Sequence, residues 1–242
     1  MTTPQMVTTT ELTRRGTAAL RLPPLRWGFW VGAVAVAITL LVLWFAIARP
    51  VQVLPRMRDL PQFSFTDHEG RWVQPSDLAG RMVLLQIGSV GCGQACAVID
   101  AGMRNAYQTL QRDGRLGLHV QLLTISVDPV DTPDRLAAHV QRLGVSAPEW
   151  RWLTGIPNEV KQFVGGEFGF YYTTAADGTL QIEQHVVLID ANGVVRAIYN
   201  EATFQPETLA RDLALLEREQ RESVGAQRAI YEAAHIFVCY PQ

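Results

Sequence analysis

Met82-Val-Leu-Leu-Gln-Ile-Gly-Ser-Val-Gly-Cys92-Gly-Gln-Ala-Cys96 joins an apolar run to a pair of cysteines, and its reading decides the fold. Met82 to Ile87 is almost continuously apolar, the composition of a strand covered on both faces in the middle of a sheet. Residues 97 to 112 follow with Val98, Met103, Ala106 and Leu110 near helical spacing and Asp113-Gly114 as the stop. The cysteines therefore stand at a strand-to-helix junction. Free backbone N–H groups and the helix dipole favour a thiolate there, and a thiolate is both nucleophile and metal ligand. A spacing of four puts both side chains on one helical face if the helix starts at Cys92. Such a pair can close a disulfide, or chelate a soft ion such as Cu(I) or zinc with an imidazole as third ligand. A purely structural disulfide and two inert small hydrophobes are the plainer alternatives.

Outward from this stretch the alternation repeats. His119 to Val127 reads as a second buried strand, and Thr132-Pro133-Asp134 opens a helix that runs to Leu143 before Gly144. Asn158 to Phe163 is a short helix. Val186 to Ile189 and Val194 to Tyr199 are strands joined across Asp190-Ala-Asn-Gly193, and residues 206 to 222 form a last amphipathic helix. Upstream, Phe63-Ser-Phe65 and Arg71-Trp-Val73 flank Asp67-His68-Glu69-Gly70, a hairpin with His68 in its turn. Strand, helix, strand, helix, hairpin and terminal helix make an α/β fold whose sheet order the pattern leaves open.

Residues 27 to 48 carry no charge and span about 33 Å as a helix, enough to cross a bilayer once. Trp27, Trp30 and Trp44 lie where interfacial aromatics belong, and Arg26 and Arg49 bracket the run. Ala46-Ile-Ala48 has the form of a cleavage site, but the apolar run is longer than a signal peptide's, which favours a retained anchor. Residues 1 to 26 are net positive and residues 50 to 242 net negative. The acidic main body argues against a nucleic-acid partner. Four Arg before the helix against Arg49, Arg56 and Arg58 after it, together with a cysteine pair suited to an oxidising compartment, lean towards a cytoplasmic N-terminal tail and an extracytoplasmic (periplasmic) domain beyond the helix. The expected organisation is a tail over 1–26, a transmembrane helix over 27–48, a proline-containing linker over 49–62, a domain over 63–224 and a separate tail over 225–242.

The sequence resembles the Sco family, also called SenC, of membrane-anchored copper proteins. The residues that carry the likeness are Phe63 to Gly70, Leu78 to Ile87, the Cys-x-x-x-Cys pair, Ser126-Val-Asp-Pro-Val-Asp-Thr-Pro133 and Leu153-Thr-Gly155, all in the family's order. The resemblance implies a thioredoxin-like fold, a central mixed sheet flanked by helices, and a copper ion held by Cys92, Cys96 and a later histidine, for which His185 is the candidate. It implies delivery of copper to cytochrome c oxidase subunit II during assembly, with a thioredoxin-like reductant as a further partner. Asp128 either supports the site by holding a loop or orienting a ligand, or caps its own turn. Two departures stand out. Gly93 and Ala97 replace the family's prolines, and His185 stands about three residues closer to the following turn, a shift that changes side-chain parity. Either a loop rearrangement brings His185 to the sulfurs or it points elsewhere. His235 and Cys239 in the tail are outside candidates.

Three functions compete on these residues. The first is a copper metallochaperone. The second is a thiol-disulfide oxidoreductase that keeps copper-site cysteines reduced and requires no histidine, with Cys92 and Cys96 as redox thiols. The third is a non-catalytic accessory subunit of a respiratory complex.

Overall fold

The computed structural model describes residues 25–48, 52–145, 149–175, 180–225 and 227–237. The chain divides into two units, Met1–Ala48 and Arg49–Gln242. In the first, α1 (Leu25–Ala48) is one continuous helix. Its stretch Trp27–Trp44 is long and apolar enough to cross a membrane and buries none of its side chains.

The second unit follows the alternation that the apolar runs dictate. Its elements begin with β1 (Arg58–Asp59), β2 (Phe65–Asp67), β3 (Trp72–Val73), β4 (Met82–Gly88), α2 (Ala97–Arg112), β5 (Val120–Ser126), α3 (Pro133–Leu143), β6 (Trp150–Thr154) and α4 (Pro157–Lys161). Then come β7 (Tyr172–Thr174), β8 (Leu180–Ile182), β9 (Val186–Ile189), β10 (Val194–Tyr199), α5 (Pro206–Glu222) and α6 (Gln227–Phe237). Eight strands form one mixed sheet in the order β1-β10-β9-β4-β5-β6-β2-β3, while β7 and β8 pair separately. β4 runs parallel to β5 and β5 to β6, as two βαβ crossovers require, and the remaining pairings are antiparallel.

Alternate residues of the central strands enter two cores. Met82, Leu84, Val120 and Leu122 share one with Ile99 and Met103 of α2, Leu136 of α3 and Leu213 of α5. Val83, Leu85, Ile87, Leu123 and Ile125 share the other with Phe63, Phe65, Phe163 and Phe170. Coverage on both faces is the reason these strands read as continuous apolar runs. Local signals act as expected around α3, where the Thr132 hydroxyl accepts a hydrogen bond from the Arg135 N–H and Gly144 turns out of the helix at φ 65°.

Three expectations are corrected. Residues 53–62 are not a free tether: Val53, Leu54 and Leu60 are buried, and Arg58–Asp59 pairs with β10. Their prolines suit an extended edge strand as well as a linker. The helix over 206–222 is not the last, because α6 follows and buries Tyr231 and Ala234. The short helix at Asn158 begins at Pro157 and continues as a wider turn over Gln162–Glu167, which carries Phe163 into the core. β6 adds a strand beyond those expected from the sequence, although Trp150, Arg151 and Trp152 alternate apolar and polar over its first three residues.

Candidate dithiol site

β4 ends at Gly88, the chain crosses Ser89 to Cys92, and a single 3-10 turn over Gly93–Cys96 leads into α2. Cys92 and Cys96 are joined in a disulfide, with Cα atoms 5.7 Å apart. The α-helix starts at Ala97, so the pair is bridged across the turn and not along a helical face, a correction to the reading that starts the helix at Cys92. Gly93 holds φ at 52°, in the left-handed region. A proline, locked near about −65°, cannot adopt that angle, so the missing proline after Cys92 has a backbone cause.

The two sulfurs have different surroundings. Cys96 is fully buried while Cys92 keeps 8% of its surface exposed. Cys92 Sγ lies 3.1 Å from the Ser89 carbonyl oxygen, and the Gln184 side-chain amide donates to Cys96 Sγ at 3.2 Å. Gln184 is itself buried, and its Oε1 has no hydrogen-bond partner among the described residues.

Two buried polar networks hold the site. Asp131 Oδ2 accepts from the Val90 N–H at 2.8 Å and from the Ser126 hydroxyl at 2.6 Å, while Oδ1 is 3.0 Å from the Arg135 guanidinium. Asp131 thereby pins the loop ahead of Cys92 to the end of β5. Asp128 performs the local role weighed for it, accepting the Val130 N–H and closing its own turn. Under the start of α2, Trp150 Nε1 donates to Thr124, the Thr124 hydroxyl to Gln86, and the Gln86 amide to Asp100 at 2.6 Å. Burial pushes the Asp100 carboxyl above its ordinary value against the opposing effect of that hydrogen bond.

His185 takes the opposite face. Val186 of β9 pairs with Gln86 of β4. Val186 and Leu188 enter the core with α2, and Val187 and Ile189 the core with Phe170. Continued back along the chain, this alternation turns Gln184 towards Cys96 and His185 away from it. The His185 ring stacks on Phe170 with centroids 4.1 Å apart. Its Nε2 is 3.2 Å from Glu183 Oε1, while neither ring nitrogen has an aligned hydrogen bond among the described residues. No group of three or more His, Cys, Asp or Glu side chains that could hold a metal ion is gathered among the described residues. His235 sits elsewhere, with Nε2 2.8 Å from Glu219, and Cys239 lies outside the described residues. His68 is the buried turn residue expected, its ring accepting the Trp152 N–H.

Sequence reasoning missed Gln184, Asp131 and Asp100. Asp131 had a legible signal, an acidic side chain just before a helix cap in Ser126 to Pro133. Gln184 had none.

A mixed sheet flanked by helices, with a disulfide-joined pair of cysteines just beyond the end of its central strand, defines a thioredoxin-like fold with a Cys-x-x-x-Cys pair. Residues 55–217 match the family model SCO1/SenC, and the chain belongs to that family. It is similar to a SCO1/SenC family lipoprotein from Bacillus anthracis at 27% identity, covering 66% of this chain and 95% of that one with a TM-score of 0.60. It shares its fold with BsSco, a member of the Sco family of cytochrome c oxidase assembly proteins in which a disulfide switch was identified, at 23% identity and a TM-score of 0.59, covering 68% of this chain and 98% of that one. A Stutzerimonas stutzeri protein named "Putative copper-binding protein" is 32% identical over 91 residues, which span 37% of this chain and 44% of that relative.

Proposed function

We propose that this chain is a copper metallochaperone that delivers copper to the copper site of cytochrome c oxidase subunit II. The observation that carries this reading is the Cys92–Cys96 pair, held by a family member at the mouth of a thioredoxin-like sheet with Cα atoms 5.7 Å apart. Once reduced, two thiolates at that separation suit a soft, low-coordinate ion such as Cu(I). The copper-binding relative and the oxidase-assembly role of the family member BsSco support it. His185 is the proposed third ligand, and it reaches the sulfurs only if the chain from Glu183 to Val186 changes register and lifts the ring off Phe170. Asp131 keeps the cysteine loop in place. The proposed topology is a single-pass anchor with the domain on the periplasmic face, which labelling of Cys92 and Cys96, after reduction, with a membrane-impermeant thiol reagent on intact cells tests.

The disulfide and the turned-away His185 favour one second reading, a thiol-disulfide oxidoreductase that reduces copper-site cysteines. Copper stoichiometry of the reduced full chain in detergent separates the two. One copper per chain, lost in the Cys92→Ser, Cys96→Ser double variant and weakened in His185→Ala, is the expected result. No copper in the parent protein sinks metal delivery and leaves disulfide chemistry.

A further inference from the structure

The two sulfurs sit in opposite hydrogen-bonding surroundings. Cys92 Sγ faces a carbonyl oxygen, Ser89 O at 3.1 Å, which can accept a thiol proton but repels a thiolate. Cys96 Sγ faces a donor, the Gln184 amide at 3.2 Å, and Cys96 is the N-cap residue of the sixteen-residue helix α2; both features stabilise negative charge. Gln184 is 94% buried, taking its 6% exposure, and its Oε1 is unpartnered. That amide has no stronger competing bond and is aimed at the sulfur. The charged groups on the surrounding elements are engaged with partners of their own: Asp100 of α2 with Gln86, Asp131 with Arg135 and Ser126, Asp128 with the Val130 N–H, and Glu183 with His185.

We infer that Gln184 is a catalytic residue of the disulfide switch: it makes Cys96 the leaving thiolate, so reduction proceeds by attack on Cys92. The step balances as ordinary thiol exchange with an external dithiol. A thiolate of the reductant attacks Cys92 Sγ, Cys92 being the one of the two residues that keeps any exposed surface; a new S–S bond forms there as the Cys92–Cys96 bond breaks, and the electron pair departs on Cys96 Sγ beside the Gln184 N–H. The reductant's second thiolate then attacks its own sulfur in the mixed disulfide. It leaves as an oxidised disulfide, and Cys92 takes up a proton facing Ser89 O. The bond thus breaks so that the electron pair departs on the sulfur that the Gln184 amide contacts. The inference rests on the reading of Cys92 and Cys96 as the working thiols.

The test is reduction of the full chain in detergent by glutathione, with acid quenching and mass mapping of the first mixed disulfide, in the parent, Gln184→Met and Gln184→Glu. The expected adduct is on Cys92. Met fills the same space without a donor and slows reduction by roughly three- to tenfold, the scale of one hydrogen bond to a charged group acting on a leaving thiol; Glu slows it further. An adduct mainly on Cys96, or an unchanged rate in both correctly folded variants, overturns the inference. Because Gln184→Met can disturb packing, thermal unfolding and the rate of alkylation of the already reduced protein are measured beside it. A variant that unfolds early is replaced by Gln184→Asn, whose shorter amide must then show the same loss. Copper stoichiometry on the same samples keeps the two ideas apart. Absent copper with an adduct on Cys92 fails metal delivery alone, and bound copper with an adduct on Cys96 fails this inference alone.

Discussion

Arg196 of β10 and Glu219 of α5 meet inside the domain, Nη2 to Oε2 at 2.7 Å, with the arginine 1% exposed. The same guanidinium donates to the backbone carbonyls of Leu54 and Pro55 and to Asp190 at 2.8 Å, while Glu219 Oε1 lies 2.8 Å from His235 of α6. One buried pair therefore ties together the N-terminal segment, the β9–β10 turn, α5 and α6. Arg196→Met removes the buried cation from between Asp190 and Glu219, leaving Glu219 only its weaker contacts to His235 and Arg56, at a cost of about 3 kcal/mol. Urea unfolding checks this, and a loss below about 1 kcal/mol contradicts it.

Glu219 also gives the domain an acid limit. Burial opposes its charge, but hydrogen bonds from His235 and Arg196 and the attraction of Arg196 outweigh it and hold the carboxyl at about 2. An acid whose folded value lies below its unfolded one stabilises the fold above the unfolded value, and the gain is lost as pH falls through the folded one. Roughly 3 kcal/mol should disappear between about pH 4.5 and pH 2. Stability measured against pH in Glu219→Gln should be lower at pH 7 and flatter across that window; a parallel slope rules the assignment out.

Asp100 has the opposite sign. Burial raises its carboxyl, so its charge costs the folded chain stability once pH exceeds the unfolded value. Asp100→Asn keeps an acceptor for the Gln86 amide and should melt higher than the parent at pH 7 and with it near pH 3. Equal melting at both values, or a lower one at pH 7, counts against this.

Gly102 of α2 is where α5's approach is set. A Cβ there falls 2.8 Å from Phe204 Cδ1, a buried ring that packs on Tyr199. Gly102→Ala gains helix propensity of about 1 kcal/mol yet forces the ring aside, and the net effect expected is a loss of about 1–2 kcal/mol, or some 2–8 °C in melting temperature. A stabilised variant shows that Phe204 moves freely.

Much of the fold was legible because its signals are local. Met82 to Ile87, the helix after Cys96, the cap at Thr132 and the turn at Asp190 to Gly193 each act through neighbours in the chain, and each stands where its pattern puts it. β6 and α6 were not legible in the same way. Trp150 and Trp152 enter a core that exists only once β5 has found its partner, and Tyr231 and Ala234 are buried only because α5 is there to receive them.

The candidate site divides along the same line. The chain by itself determined that two thiols stand at the end of the central strand, since an apolar run, two glycines and a helix start fix that junction locally. Only the tertiary structure decided which side chain meets them. The pairing of Val186 with Gln86 sets the register of β9, and with a side-chain period of two that register sends Gln184 to Cys96 and His185 to Phe170. No local pattern carries that choice, because it belongs to hydrogen bonds between strands a hundred residues apart in the chain.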